Sequence, residues 1–321
     1  MPAGTHTHTA GHRLRNICLL LYRFPWRSRH AATMDHGHHD HSMAHTADVI
    51  QAPPESGTFG SHAVLGAFFF VFGLWYAVKN CFFTLERLHA QGKQPARHKT
   101  WRDHQGCAKR TLGFLLYSMD PMFKIIACTI GILSQMSLGA HWRLRDPVTG
   151  EFVEQSDWQF VTMYSFFFFS GLVDILVRVK TPIPPNSDKF FISLALFIES
   201  YLFFYHEGAS EAEDRLHQLL FIAIFGAAVA AMLWACLPES QLLPLLLSVL
   251  VMLQGTWFWQ VAGVLYPLDP ARRWELDSHG TLMFLPLAFC WHLLGNIGLL
   301  FVVYTIVHQF VKRGYRFPRG L

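Results

Sequence analysis

The stretches FFFVF at 68–72 and SFFFFSG at 165–171 constrain this chain more than any other feature, because neither has a polar face to offer water. They belong to seven apolar segments, at about 62–79, 116–138, 159–178, 188–206, 217–236, 242–264 and 282–308. Each holds about the 20 residues that a helix needs to cross roughly 30 Å of hydrocarbon. Inside lipid every backbone amide must find its partner within its own segment, so helices are the expected form. The composition agrees: 15% of the 321 residues are charged and 29 are phenylalanine, where a soluble domain carries about 25% charged residues. The fold class expected is therefore all-α, a polytopic bundle of seven transmembrane helices over 62–310, with a region 1–61 before it and a basic tail 311–321 after it.

Lys and Arg set the orientation. They crowd the connection after the first segment, from Lys79 and Arg87 to Lys109 and Arg110, and recur at Arg178, Lys180 and Lys189 and in the C-terminal tail from Lys312 to Arg319. The alternate connections hold Arg143, Arg145, Arg215, Arg272 and Arg273, diluted by acids such as Asp146, Glu151 and Glu213. The positive-inside rule then places the C-terminus in the cytosol and the segment before the first span outside or in a lumen. The net charge of +4 reflects this asymmetry and makes no case for nucleic acid. The implied partner is the lipid bilayer; a homo-oligomer or a protein partner stays open. Cys81 and Cys107 fall in the expected cytosolic loop and Cys128, Cys236 and Cys290 in spans, so no extracellular disulfide framework is implied. Cys81, just past the first span, is either a free thiol or a site of S-acylation.

The first 33 residues carry five arginines and no acid around a short apolar run, NICLLLY at 16–22, which argues for Met34 as the start of synthesis. From there MDHGHHDHSMAH at 34–45 sets His36, His38, His39, His41 and His45 beside Met34 and Met43. A flexible chain of this kind can wrap zinc or copper, with thioether for Cu(I), and is expected to be disordered. It resembles the start of the ectodomain of high-affinity copper transporters, but no span carries the MxxxM pair of such a pore. The tail is therefore read as an accessory.

Ionisable groups within spans cost about 2.5 to 3.5 kcal/mol near a helix centre, so each calls for a reason. His62, His206, His217, His292 and Glu199, with Gln254, Trp257 and Gln260, all map to the outer half of the expected bundle. Three readings of this set stay open: a polar network that packs helices, a zinc or copper site built from His206, His217, His292 and Glu199, or a pocket for a lipid or other ligand. No HxxxH or HExxH pair lies in a span, no residue is nominated as catalytic, and no motif demands a cofactor. The balance leans away from an enzyme. Toward the cytosol, Asp120 and Lys124 lie one turn apart, at a spacing where they can neutralise each other, and Asp174 can join them. That set is read as structural, with a proton or ion relay as the alternative.

The stretches SHAVLGAFFFVFGLWYAVK (61–79), DWQFVTMYSFFFFSGLVDIL (157–176), FIESYLFFYH (197–206), LHQLLFIAIFGA (216–227), LQGTWFWQVAGVLYP (253–267) and LMFLPLAFCWH (282–292) resemble, in this order, the transmembrane protein 45 family. The resemblance implies a seven-span membrane protein without an established molecular activity, in Golgi, endolysosomal or plasma membranes. Phe160 stands where members of that family often carry a histidine, and EGASEAEDRLH (207–217) lacks histidines that some members place there.

Overall fold

The computed structural model describes residues 59–91, 107–139, 142–153, 155–206, 208–269, 271 and 273–313. Regular structure among them is helical: α1 Phe59–Gln91, α2 Cys107–Ser134, α3 Gln155–Arg178, α4 Ser187–Phe204, α5 Glu211–Cys236, α6 Leu242–Leu265 and α7 His279–Lys312. α2 runs on into a wider π-helical turn at Gln135–Gly139, and a single bridge pairs Arg145 with Phe152 in the connection to α3. The histidines of the 34–45 tail, the proposed start at Met34 and most of the basic C-terminal tail lie outside the described residues.

Among the described residues five helices, α1, α3, α5, α6 and α7, are long and apolar enough to cross a membrane. The other two interrupt their apolar stretches with charge, α2 at Asp120 and Lys124 and α4 at Asp188, Lys189 and Glu199. α7 shows why the bundle needs lipid: Met283, Leu287, Trp291, Leu294, Phe301 and Ile306 all lie exposed along it. So large an apolar face does not persist in water.

α1 runs about three turns past the expected end of the first span. The polar residues that should have ended it find partners instead. Lys79 pairs with Asp120 of α2, and Asn80 Nδ2 donates to Pro244 O and Ser248 Oγ of α6, each at 3.0 Å. The extension also carries Cys81 into the interior, fully buried. Of the two readings of that thiol, its burial favours the free thiol over S-acylation.

α1 and α6 make the most extensive helix contact, and glycine makes it possible. A Cβ on Gly255 would collide with the Phe70 backbone amide and lie 2.7 Å from Gly66 O, so the two backbones touch where no side chain fits. Around this axis α2 to α5 pack in sequence, each on the next, and α7 closes against α1, α5 and α6. α5 offers α4 and α6 a row of small buried residues, Ala223, Ala227, Ala228 and Ala231, and Ser193 Oγ of α4 donates to Ala228 O at 2.8 Å.

Candidate functional site

Antiparallel succession brings the N-terminal ends of α1, α3 and α5 and the C-terminal ends of α4 and α6 to one end of the bundle. A pocket of about 40 Å³ opens among them, lined by His62, Ser156, Gln159, Phe160, Met163, Leu202, Phe203, His206, Glu213, His217, Phe258 and Tyr266. A water needs roughly 10–15 Å³ of such space, so the volume suits a few waters or one ion with part of its hydration.

The local sequence builds this pocket from the α4–α5 connection. α4 ends at Phe204, and His206 comes two residues later. α5 starts from a capped turn close to a capping box: Ser210 Oγ accepts from Glu213 N at 3.2 Å, and Glu213 Oε2 reaches back one residue past the cap to accept from Ala209 N at 2.8 Å. Asp214 Oδ1 ties down Gly208 N at 2.8 Å. The loop lies so close to α5 that a Cβ on Gly208 would come within 2.7 Å of Glu213 Cγ. Four residues after Glu213, one turn along the same face, comes His217.

Candidate ligand atoms of His206, Glu213 and His217 all lie within 4.8 Å of one another. Each residue is held by a second contact. A proton on His206 Nδ1 donates to Gln159 Oε1 at 3.3 Å, leaving the Nε2 lone pair free. Glu213 uses one carboxylate oxygen on Ala209 N. The His217 ring stacks on Phe203, with centroids 5.8 Å apart, and meets His206 edge-on at 4.6 Å. His217 is 4% exposed, and its Nδ1 has no hydrogen-bond partner among the described residues. His62 closes the rim against Tyr266 and Phe258, with ring centroids 5.2 and 6.5 Å away.

Of the four intramembrane metal candidates, the structure brings His206 and His217 together and separates the other two. Glu199 is fully buried, and its Oε1 accepts from Gln254 Nε2 at 2.6 Å. Its Oε2 and the Gln254 Oε1 have no partner among the described residues. The His292 ring packs edge-on to Trp257, with centroids 5.5 Å apart. Trp257 donates to Leu216 O at 3.0 Å, tying α6 to α5 beneath the pocket. Gln260, expected in the same network, is half-buried and absent from the pocket lining.

Glu213 is the residue that sequence reasoning missed. The signal was present as E-x-x-x-H at 213–217, an i,i+4 pair equivalent to the HxxxH that was sought. It was hidden because Glu213 counted as one of several loop acids. Phe160 lies in the wall of this pocket, so the histidine that the family resemblance leads one to expect there is missing from the pocket itself.

The inner charges form a second centre, with a different pairing from the one the spacing suggested. Asp120 and Lys124 do not neutralise each other. Asp120 accepts from Lys79 of α1 and from Trp75 Nε1 at 2.5 Å, and lies 3.5 Å from Arg178 of α3. Lys124 pairs with Asp174 at 2.5 Å and donates to Ser170 Oγ at 3.2 Å. Lys79 also sits over the Tyr76 ring, 4.3 Å from its centre. The physical reason is arithmetic: a pair within α2 would leave Asp174 alone to serve both Lys79 and Arg178, whereas cross-helix pairing gives all five charges a partner.

Fold and site together define an all-helical membrane protein with a pocket at one end of the bundle whose wall carries histidine, glutamine and glutamate side chains. A family of unknown function, DUF716, matches residues 185–305, which run from the start of α4 into α7 and include His206, Glu213 and His217. The chain is similar to Transmembrane epididymal protein 1 of Homo sapiens, 28% identical over 167 residues, which cover 50% of this chain and 60% of that protein. It is similar to Transmembrane epididymal protein 1A of Mus musculus, 25% identical over 261 residues, which cover 78% of this chain and 81% of the other. With Transmembrane epididymal protein 1 of Rattus norvegicus it shares 27% identity over 169 residues, 51% of this chain and 54% of the relative.

Proposed function

We propose that this chain is a seven-span membrane protein of the transmembrane protein 45 type. Its N-terminal segment is extracytosolic and its C-terminus cytosolic, and it acts without enzymatic chemistry, by holding a small polar ligand or cation in a pocket open to the extracytosolic side. Secretory, endolysosomal or plasma membranes are the compartments this reading names. The observation that carries it is the convergence of His62, His206 and His217, from α1, the α4–α5 connection and α5, on one pocket. The two charge-interrupted helices support the count of seven, because Asp120, Lys124 and Glu199 each meet a polar partner inside the bundle. Lys79, Arg178 and Lys189, toward the other end, support the orientation.

The test places a single cysteine at Ser156, in the pocket wall, in a background whose six native cysteines are replaced. A membrane-impermeant maleimide should label Ser156→Cys from the extracytosolic face of sealed vesicles, and a C-terminal tag should be cut only from the cytosolic face. Labelling from the cytosolic face, or both positions on one side, would overturn the reading.

A further inference from the structure

We propose that His206, Glu213 and His217 bind a single divalent transition-metal ion, zinc by the chemistry of the donors. This deepens the reading of the pocket given above and rests on it. Two imidazoles and one carboxylate form a set of borderline softness, with one position left for water or a ligand.

Geometry, burial and outer-shell support agree. Bond lengths of about 2.0–2.2 Å in a tetrahedral site place ligand atoms roughly 3.4 Å apart. The present 4.8 Å limit therefore needs a closure on the order of 1 Å, within the reach of side-chain rotation. His206 is placed to make it, since it lies in the connection past the end of α4, while Glu213 and His217 are fixed on the first turns of α5. The outer shell is already present: Gln159 orients the His206 ring through Nδ1, and the Ala209 amide holds one oxygen of Glu213. Metal ligands are oriented in this way, so that one atom faces the ion and the other is held by the protein.

The independent sign is His217. The residue is 4% exposed, and its ring meets the Glu213 backbone one turn back, with Nδ1 short of hydrogen-bond geometry; a buried polar atom left so costs about 1–3 kcal/mol. A ring so placed, facing a second imidazole and a carboxylate in a pocket of about 40 Å³, is set up for a cation. Glu199 and His292 do not take part, the one bonded to Gln254 and the other packed on Trp257.

The experiment uses the full-length chain in detergent, equilibrated with Zn²⁺ buffered by a competing chelator, so that the histidine tail contributes equally to every variant. Wild type should hold one equivalent more than His217→Ala or Glu213→Gln, with affinity at least about 100-fold above theirs, while His292→Ala holds as much as wild type. Zn²⁺ should raise the unfolding temperature of wild type and leave that of Glu213→Gln unchanged. Glu213→Gln keeps the side chain's size and an acceptor for Ala209, which separates lost ligation from lost folding. Cobalt(II) in place of zinc should give the visible absorption of a nitrogen- and oxygen-ligated ion in wild type, absent from Glu213→Gln. Equal metal content in wild type, His217→Ala and Glu213→Gln, or an equal loss in His292→Ala, would overturn the proposal. Because detergent removes sidedness, such a failure is distinct from a failure of the topology test.

Discussion

The two polar centres of this bundle are built from similar material and finished differently. At one end, Asp120, Lys79, Arg178, Lys124 and Asp174 come from α1, α2 and α3, and each charged group has a partner of opposite sign. At the other end, His206, Glu213 and His217 approach within 4.8 Å, yet the most buried of them has an unpartnered ring nitrogen. Burial makes both arrangements costly, so the difference is informative. A charge network that closes on itself holds helices together, and one that stays open at its centre is waiting for something from outside. The Glu199–Gln254 pair lies between the two cases, with one short hydrogen bond and an unpartnered oxygen on each side chain.

The largest effect that tests this contrast comes from opening the closed centre. Asp120→Ala leaves Lys79 and Arg178 without their carboxylate in a low-dielectric environment, a loss of about 3–5 kcal/mol. His217→Ala removes a ring whose Nδ1 has no partner and should cost about 1–3 kcal/mol less than that. Unfolding temperatures of purified protein at equal detergent check the order. A His217→Ala variant as unstable as Asp120→Ala would mean that the open centre is structural after all.

Removing both members of a closed pair should hurt less than removing one. Lys124→Met together with Asp174→Leu is expected to recover about 1–4 kcal/mol relative to Asp174→Leu alone, since the single change strands a buried ammonium. Additive losses in a double-mutant cycle would show that Ser170 or solvent already satisfies Lys124, and the network would no longer count as closed. At the open centre, Gly208→Ala should weaken zinc binding and loosen the start of α5, because the added Cβ meets Glu213 Cγ at 2.7 Å, its Cβ at 2.8 Å and the Asp214 amide nitrogen at 3.1 Å. Unchanged zinc affinity in that variant would separate Glu213 from the site.

How much of this was legible depends on the physics carrying each feature. The apolar runs marked the helices, because a hydrocarbon environment leaves the backbone almost no alternative. The end of α1 was not legible, since Lys79 and Asn80 are local stop signals that distant partners on α2 and α6 overrule. Asp120 and Lys124 were recognisable as a buried charge pair but not in their true pairing, which depends on three helices at once. At the pocket, His206 and His217 could be brought together from depth alone. Glu199 lies seven residues inside α4 from His206, about 10 Å, and His292 ten residues past the expected start of its span, about 15 Å, so assignment to the same outer half was too coarse to separate them from the pocket. Glu213 lay in view at i,i+4 spacing from His217 and was passed over because its position at the head of α5 looked like a solvated turn.

The smallest predicted effect carries the contrast into water. In the connection between α2 and α3, Asp146 Oδ1 accepts from Val148 N at 2.7 Å and Thr149 N at 3.0 Å, as complete a local set as any in the bundle but exposed. Those two backbone bonds hold its carboxyl below the ordinary value for aspartate. A carboxylate whose folded value is depressed contributes its stability above the unfolded value and loses it as pH falls through the folded one. The Val148 and Thr149 amides should therefore stay protected from hydrogen exchange, after correction for intrinsic rates, until the pH drops below the usual aspartate range. In Asp146→Asn that protection should not depend on pH, and the unfolding temperature of the bundle should match wild type. Protection lost within the ordinary aspartate range would break the link between bonding and titration. A measurable fall in bundle stability would show that completeness matters in water as it does in lipid, which the high dielectric at this exposed turn argues against.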